Sequence, residues 1–218
     1  MNLSSGLFIT FEGIDGCGKT TQARLVVDYL KGLGVGVTLT REPGGTAIGG
    51  KVRAILLDPA NVGIIGLTEL LLYSADRAQH VSEVIEPAIK AGHVVICDRF
   101  TDATEAYQGH ARGLDLGVIE KLNAVATRGI RPDLTLLFDL PVEQALPRAR
   151  LRNNDGGGHE ARFEDEEAAF HEKVRQGYRA IAAKEPARVK VIDATGTVEE
   201  IQIKVRAIIE DFRTRKTA

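Results

Sequence analysis

Between an apolar stretch and an amphipathic one, the chain carries Gly13-Ile14-Asp15-Gly16-Cys17-Gly18-Lys19-Thr20, the spacing GxxxxGK[ST]. That placement restricts the fold more than any other feature. Leu7-Phe8-Ile9-Thr10-Phe11 reads as a buried strand, and Thr21 to Leu30 has helical apolar spacing. A glycine-rich loop at this junction directs backbone N–H groups and a helix N-terminus at phosphate oxygens. Gly13, Asp15, Gly16, Cys17, Gly18, Lys19, Thr20 and Thr21 are therefore the expected phosphate-binding set, with Lys19 at the β/γ phosphates and the Thr20 hydroxyl on Mg²⁺.

The rest of the sequence supplies the sheet this loop needs. Val35 to Thr40, His93 to Cys97, Leu134 to Phe138 and Val189 to Ile192 read as further short strands. Helical periodicity falls between them, over Ile48 to Leu57, Leu67 to Lys90 with a break expected at Pro87, Leu116 to Thr127, Val142 to Leu151, Asp165 to Ala183 and Val198 to Phe212. Short strands alternating with helices predict an α/β fold of the P-loop NTPase type, a five-stranded parallel sheet with helices on both faces. The 218 residues suit a single domain, 1–218, with a short lid at about 148–163 around the glycine-rich tip Asn153 to Gly158.

Charge and cysteine content exclude several classes. With 28 basic and 30 acidic side chains, nothing favours a nucleic-acid polymer as partner. No segment approaches the apolar length of a membrane span, and the amino-terminal residues lack a basic n-region ahead of the first strand. Cys17 and Cys97 have no metal-ligand spacing, so a reduced, cytoplasmic setting is expected.

Strand ends are where an open parallel sheet places its ligands. Asp98-Arg99-Phe100 follows the third strand in chain order, Asp98 suited to the Mg²⁺ shell and Arg99 to a transferring or accepting phosphate. Arg41 ends the preceding strand, where a surface salt bridge and a phosphate contact are both open readings. Arg148, Arg150 and Arg152 precede the glycine tip and Arg162 follows it; guanidinium groups bounding such a segment favour bidentate phosphate contact on closure. Residues 148 and 152 share a helical face. Tyr73 and Arg77, also four apart, suit a nucleobase and its polar edge.

Taken together, Phe11 to Thr20, Thr40-Arg41-Glu42-Pro43-Gly44-Gly45-Thr46, Tyr73 to Arg77, Asp98-Arg99-Phe100 with Ala106-Tyr107-Gln108-Gly109, and Ala161-Arg162-Phe163-Glu164 resemble the bacterial type of thymidylate kinase. That resemblance implies phosphorylation of dTMP to dTDP with ATP and Mg²⁺, in a homodimer formed through helices that include part of Leu67 to Lys90. It further implies Asp15 near the sugar 3′-hydroxyl, Arg53 and Arg99 on the monophosphate, Tyr73 stacked on the base and Arg77 at its O4 edge. Thr104 and Gln108 stand at polar contacts to base or sugar, and Tyr107 forms a wall against a ribose 2′-hydroxyl. Lys19, Asp98, Arg99 and Arg162 form the implied catalytic group, with Arg148 and Arg152 on ATP. The chain departs from the family pattern in having Ala103 where serine is common, and a longer, glycine-rich loop from Asn153 to His159. A kinase of another nucleoside or nucleoside monophosphate would share loop and lid but need another base pocket, and a nucleotide-dependent switch would leave the acceptor-side residues without purpose.

Overall fold

The structure is a computed structural model describing residues 6–154, 162–163 and 166–217; the side chains of residues 152–154 and 217 are outside that description. Five parallel strands, β1 (Leu7–Glu12), β2 (Val37–Arg41), β3 (Val94–Asp98), β4 (Leu134–Asp139) and β5 (Val189–Asp193), lie in the order β2-β3-β1-β4-β5. The phosphate-loop strand is thus central, paired with β3 from Leu7↔Val94 to Phe11↔Asp98 and with β4 from Ile9↔Leu134 to Glu12↔Leu137. All six of its residues are buried, as a strand covered on both faces requires.

The two faces of the sheet differ in chemistry. Leu7, Ile9 and Phe11 join Val94, Ile96, Leu134 and Leu136 in an apolar cluster continued by Ala23, Val26 and Leu30 of α1 (Lys19–Gly32) and by Ile201, Val205 and Ile209 of α9 (Val198–Thr217). On the opposite face the alternate residues Phe8, Thr10 and Glu12 point the other way. Phe8 packs with Val81, Ile85, Val95 and Phe100, whereas Thr10 shares a 2.7 Å hydrogen bond with Thr135. Asp102 accepts from Thr135 at 3.2 Å and from both terminal nitrogens of Arg188 at 2.7 and 3.0 Å. This polar seam leads along the sheet toward the ends of the strands.

The helices over that face are α2 (Ala47–Leu57), α3 (Gly66–His80), α4 (Glu86–Lys90), α5 (Thr101–Thr104), α6 (Leu116–Thr127) and α8 (Ala168–Lys184), with α7 (Val142–Asn154) following β4. Pro87 does not end the long third helix. A π-helical turn, Val81–Ile85, joins α3 to α4, and Glu86 donates to the Val81 carbonyl five residues back. Widening the turn ahead of the proline relieves the ring's clash with the preceding carbonyls where no N–H is available to bond them. A second such turn, Glu105–Ala111, continues α5 and is absent from the periodicity reading; it carries Tyr107 and Gln108. Among the described residues no helix is long and apolar enough to cross a membrane.

Candidate active site

Strands β1, β2 and β3 end beside one cleft of about 820 Å³, lined by the phosphate loop on one side and by α3 and the Glu105–Ala111 turn on the other. The loop is shaped by backbone constraints. Gly16 has φ +81° and a Cβ there would lie 2.0 Å from the Ala145 carbonyl oxygen, so the loop is seated directly on α7. Gly18, at φ 91°, caps α1 in the left-handed region and leaves the first N–H groups of the helix facing the cleft. Lys19 is buried, its Nζ donating to the Ile14 carbonyl at 3.4 Å and standing 3.7 Å from Asp15.

Thr20 donates its hydroxyl to Asp98 at the end of β3, linking the two residues expected near Mg²⁺. Among the described residues no three His, Cys, Asp or Glu side chains converge as a metal cage. One hydroxyl and one carboxylate beside a phosphate loop fit Mg²⁺, which keeps several waters and takes its remaining oxygens from phosphates.

Arg99 is the centre of a hydrogen-bonded network at the cleft. Its φ of 71° is left-handed, a conformation rare outside glycine and Asn or Asp. It is held there by its own N–H on the Phe11 carbonyl at 3.0 Å, and by the Phe100 N–H on Glu12 Oε1 at 2.7 Å. The guanidinium then reaches Asp15 at 2.9 Å and the hydroxyls of Tyr107 and Tyr178 at 3.0 and 3.2 Å. Tyr107 donates on to Asp15 at 3.2 Å, and Tyr178 to Glu12 at 2.8 Å. Burial, then repulsion from Asp102, pushes the Glu12 carboxyl up to about 7 against the pull of Arg99. Burial likewise holds both phenols well above their ordinary range, so each remains an O–H donor.

The side of the cleft around Arg77 is built from pairs remote in sequence. Arg77 is 1% exposed. Its Nε donates to Glu42 at 2.8 Å, Nη1 to Asn123 at 2.7 Å, and Nη2 to the Phe100 carbonyl and the Thr104 hydroxyl at 3.0 Å each. A guanidinium has five N–H groups, so one Nη1 hydrogen is left for the cleft Arg77 lines. Glu42 also meets His80 Nδ1 at 2.9 Å, and His80 Nε2 lies 2.6 Å from the Thr40 hydroxyl. These contacts tie the turn after β2 to α3. Arg53 completes that corner, donating to the Pro43 carbonyl at 3.0 Å. Tyr73 faces Phe163 with ring centroids 6.5 Å apart, and burial, then Glu69, raises its phenol.

Most of the residues expected from the sequence converge on the cleft: Asp15, Gly16, Gly18, Lys19, Thr20, Thr21, Arg53, Tyr73, Arg77, Asp98, Arg99, Thr104, Tyr107, Gln108 and Arg148 all line it. Gly13 and Cys17 do not. Gly13 abuts the Phe138 carbonyl of β4, and the Cys17 side chain is 1% exposed in the core. Arg162 does not line the cleft in this structure. It donates to the Leu56 carbonyl at 3.1 Å and to Glu69 at 2.7 Å, so a buried carboxylate holds it at the α2–α3 junction rather than over the phosphate loop. Of the arginines around the tip, Arg148 is the one lining the cleft; the side chain of Arg152 and the tip from Asp155 to Gly158 lie outside the described residues. Arg24, Arg41 and Phe163 also line it; Arg41 had a signal in its place at a strand end and Phe163 in the Arg162-Phe163-Glu164 motif, whereas Arg24 had none.

Comparison with known proteins agrees with this geometry. The profile of the thymidylate kinase family matches residues 11–205. A thymidylate kinase of Geobacter sp. (strain M21) is 57% identical over 201 residues, covering 92% of this chain and 89% of that protein. One from Desulfovibrio desulfuricans is 51% identical over 212 residues, covering 96% and 98%. Among solved structures, the crystal structure of thymidylate kinase from Ehrlichia chaffeensis superposes with a TM-score of 0.76 at 36% identity, over 94% of this chain and 98% of that one. The central loop strand, the hydrogen-bonded corner around Arg99 and a match over nearly the whole length converge on one assignment: the chain belongs to the thymidylate kinase family.

Proposed function

We propose that the cleft aligns ATP and dTMP for direct transfer of the γ-phosphoryl group, giving dTDP for deoxythymidine nucleotide synthesis. The observation that carries this reading is that one cleft joins Lys19 and the Thr20–Asp98 pair to Arg99, Arg53, Tyr73 and Arg77, a donor side facing an acceptor side. Family membership supports the substrate pair.

The 5′-phosphate of dTMP is largely dianionic near neutral pH and is itself the nucleophile, so placement and charge neutralisation are the protein's tasks. Loop N–H groups and Lys19 would hold the β and γ phosphates, and Arg99 would move from Asp15 to the acceptor oxygens. Thr20 and Asp98 would hold Mg²⁺, which would supply positive charge to offset that of the phosphates. Asp15 and Tyr107 would bound the sugar, Tyr73 would stack on the base, and Arg77 would offer its remaining hydrogen to O4. Arg148, which lines the cleft, would reach ATP from the proposed lid, residues 148–163. Parallel assays of dTMP, dUMP, dCMP, dGMP and thymidine with ATP and Mg²⁺ test the reading; dTMP should be strongly preferred. Equal turnover of a purine monophosphate, or hydrolysis that needs no acceptor, would overturn it.

A homodimer is the proposed assembly. Leu67 and Leu71 of α3 are 49% and 48% exposed, one helical ridge flanked by Ile55 of α2 and by Val118 and Val125 of α6, also exposed. Apolar residues open on three adjoining helices favour burial against a second copy. Sedimentation analysis of Leu71→Glu should show the monomer where the parent chain gives the dimer.

A further inference from the structure

The Glu69 carboxylate has no task in the transfer just outlined, yet it is 0% exposed and in contact with three side chains, two from the Glu105–Ala111 turn and its cap and the third that of Arg162. Oε2 accepts from Arg162 at 2.7 Å; Oε1 accepts from Gln108 Nε2 at 2.9 Å and lies 3.4 Å from Arg112 Nε. Two guanidinium groups supply the compensating charge that a buried carboxylate needs. A carboxylate so paired only accepts hydrogen bonds, so the nitrogen of the Gln108 amide must face Glu69. Gln108 is 2% exposed and lines the cleft. With its nitrogen held, the polar atom at the free edge of the amide is the carbonyl oxygen Oε1, an acceptor.

We propose that Glu69 is a positioning residue that sets base selectivity: by holding the Gln108 amide nitrogen, it presents Oε1 to the base and selects a pyrimidine whose ring N3 carries a hydrogen. Thymine has that N–H. Cytosine has a lone pair there, and two facing acceptors leave a desolvated polar pair unbonded. The inference rests on the dTMP reading above and extends it to a residue outside the cleft.

The test is the ratio of kcat/KM for dTMP over 5-methyl-dCMP, which keeps the methyl group and sugar and changes only the N3 and 4-position chemistry. Glu69→Gln frees the Gln108 amide to turn, and Gln108→Met removes its polarity at similar volume. Each should lower the ratio by at least roughly tenfold, the scale of one buried hydrogen bond mismatched. In the Gln108→Met background, Glu69→Gln should change the ratio no further, because its effect passes through the amide. Should Glu69→Gln not fold, Glu69→Asp carries the same test, since it keeps the charge and withdraws the carboxylate from Gln108. Equal losses for both nucleotides, as a purely structural role predicts, would overturn the proposal, as would an unchanged ratio in Gln108→Met. A parent chain that phosphorylates neither nucleotide would instead overturn the acceptor reading, and this proposal with it.

Discussion

The phosphate-loop half of the cleft and the half around Arg77, the proposed donor and acceptor sides, are assembled by different means. The phosphate loop is a contiguous stretch whose geometry comes from positive φ at Gly16 and Gly18 and from its seat against α7. The other half is assembled from side chains far apart in sequence: Glu42 with Arg77 and His80, Glu69 with Gln108 and Arg162. A local motif is robust because its neighbours are fixed by the chain. A remote constellation depends on buried charges finding one another, and losing one partner leaves the other uncompensated.

The sharpest way to break this contrast is Glu42→Ala. It strands the 1% exposed Arg77 guanidinium and the His80 ring, and should cost roughly 3–5 kcal/mol in urea unfolding, the scale for removing one member of a buried pair. A loss below about 1 kcal/mol would mean the half around Arg77 is not held by its charges. Lys19→Ala, in contrast, should leave the urea midpoint nearly unchanged and lower kcat by at least roughly 100-fold, as for one major transition-state donor. Near-normal turnover in a folded variant would remove Lys19 from the phosphates.

Next in size is the division between the two arginines flanking the tip. Arg148→Ala should lower kcat roughly tenfold, about 1.4 kcal/mol, with the melting temperature little changed. Arg162→Ala should instead lower the melting temperature and raise KM for dTMP, because Glu69 loses its closest partner. The reverse pattern would show that closure moves Arg162 onto the nucleotide.

The smallest effect concerns pH. Glu12 titrates near 7 in the folded chain, above the ordinary carboxyl value of 4.5. Between those values the folded state binds more protons than the unfolded state, so this group's contribution is fully present below about 4.5 and is lost as pH rises through about 7. Glu12→Gln should flatten that fall in urea midpoints; an unchanged slope would place the titration elsewhere.

The same contrast explains what was legible in the sequence. All five strands and the phosphate loop could be read because periodicity and glycine spacing are local. The helical segment Thr101–Ala111 escaped because Thr, Gln and Gly residues give it no apolar period, although its buried polar side chains serve the cleft. The contact of Arg162 was hidden for a related reason: a sequence shows an arginine after a glycine-rich stretch but not the buried Glu69, 93 residues away, that it meets. Glu12, Glu42 and Tyr178 were equally hidden as partners, since nothing in their local spacing tells a strand-end or helix residue which distant guanidinium or N–H it will meet.

The π-helical turn at Glu105–Ala111 makes chain length itself part of the shape of the cleft. Such a turn arises when a helix accommodates an extra residue without unwinding, and four consecutive residues, Ala106 to Gly109, are all buried within it. Removing one residue there would restore ordinary helical pitch and rotate every side chain beyond the deletion by about 100° relative to those before it. Such a deletion could keep Tyr107 and Gln108 in the sequence and still point them elsewhere. In this segment a change of nucleotide preference can arise by insertion or deletion as readily as by substitution, and relatives with the same residues but a different count would be expected to recognise different bases.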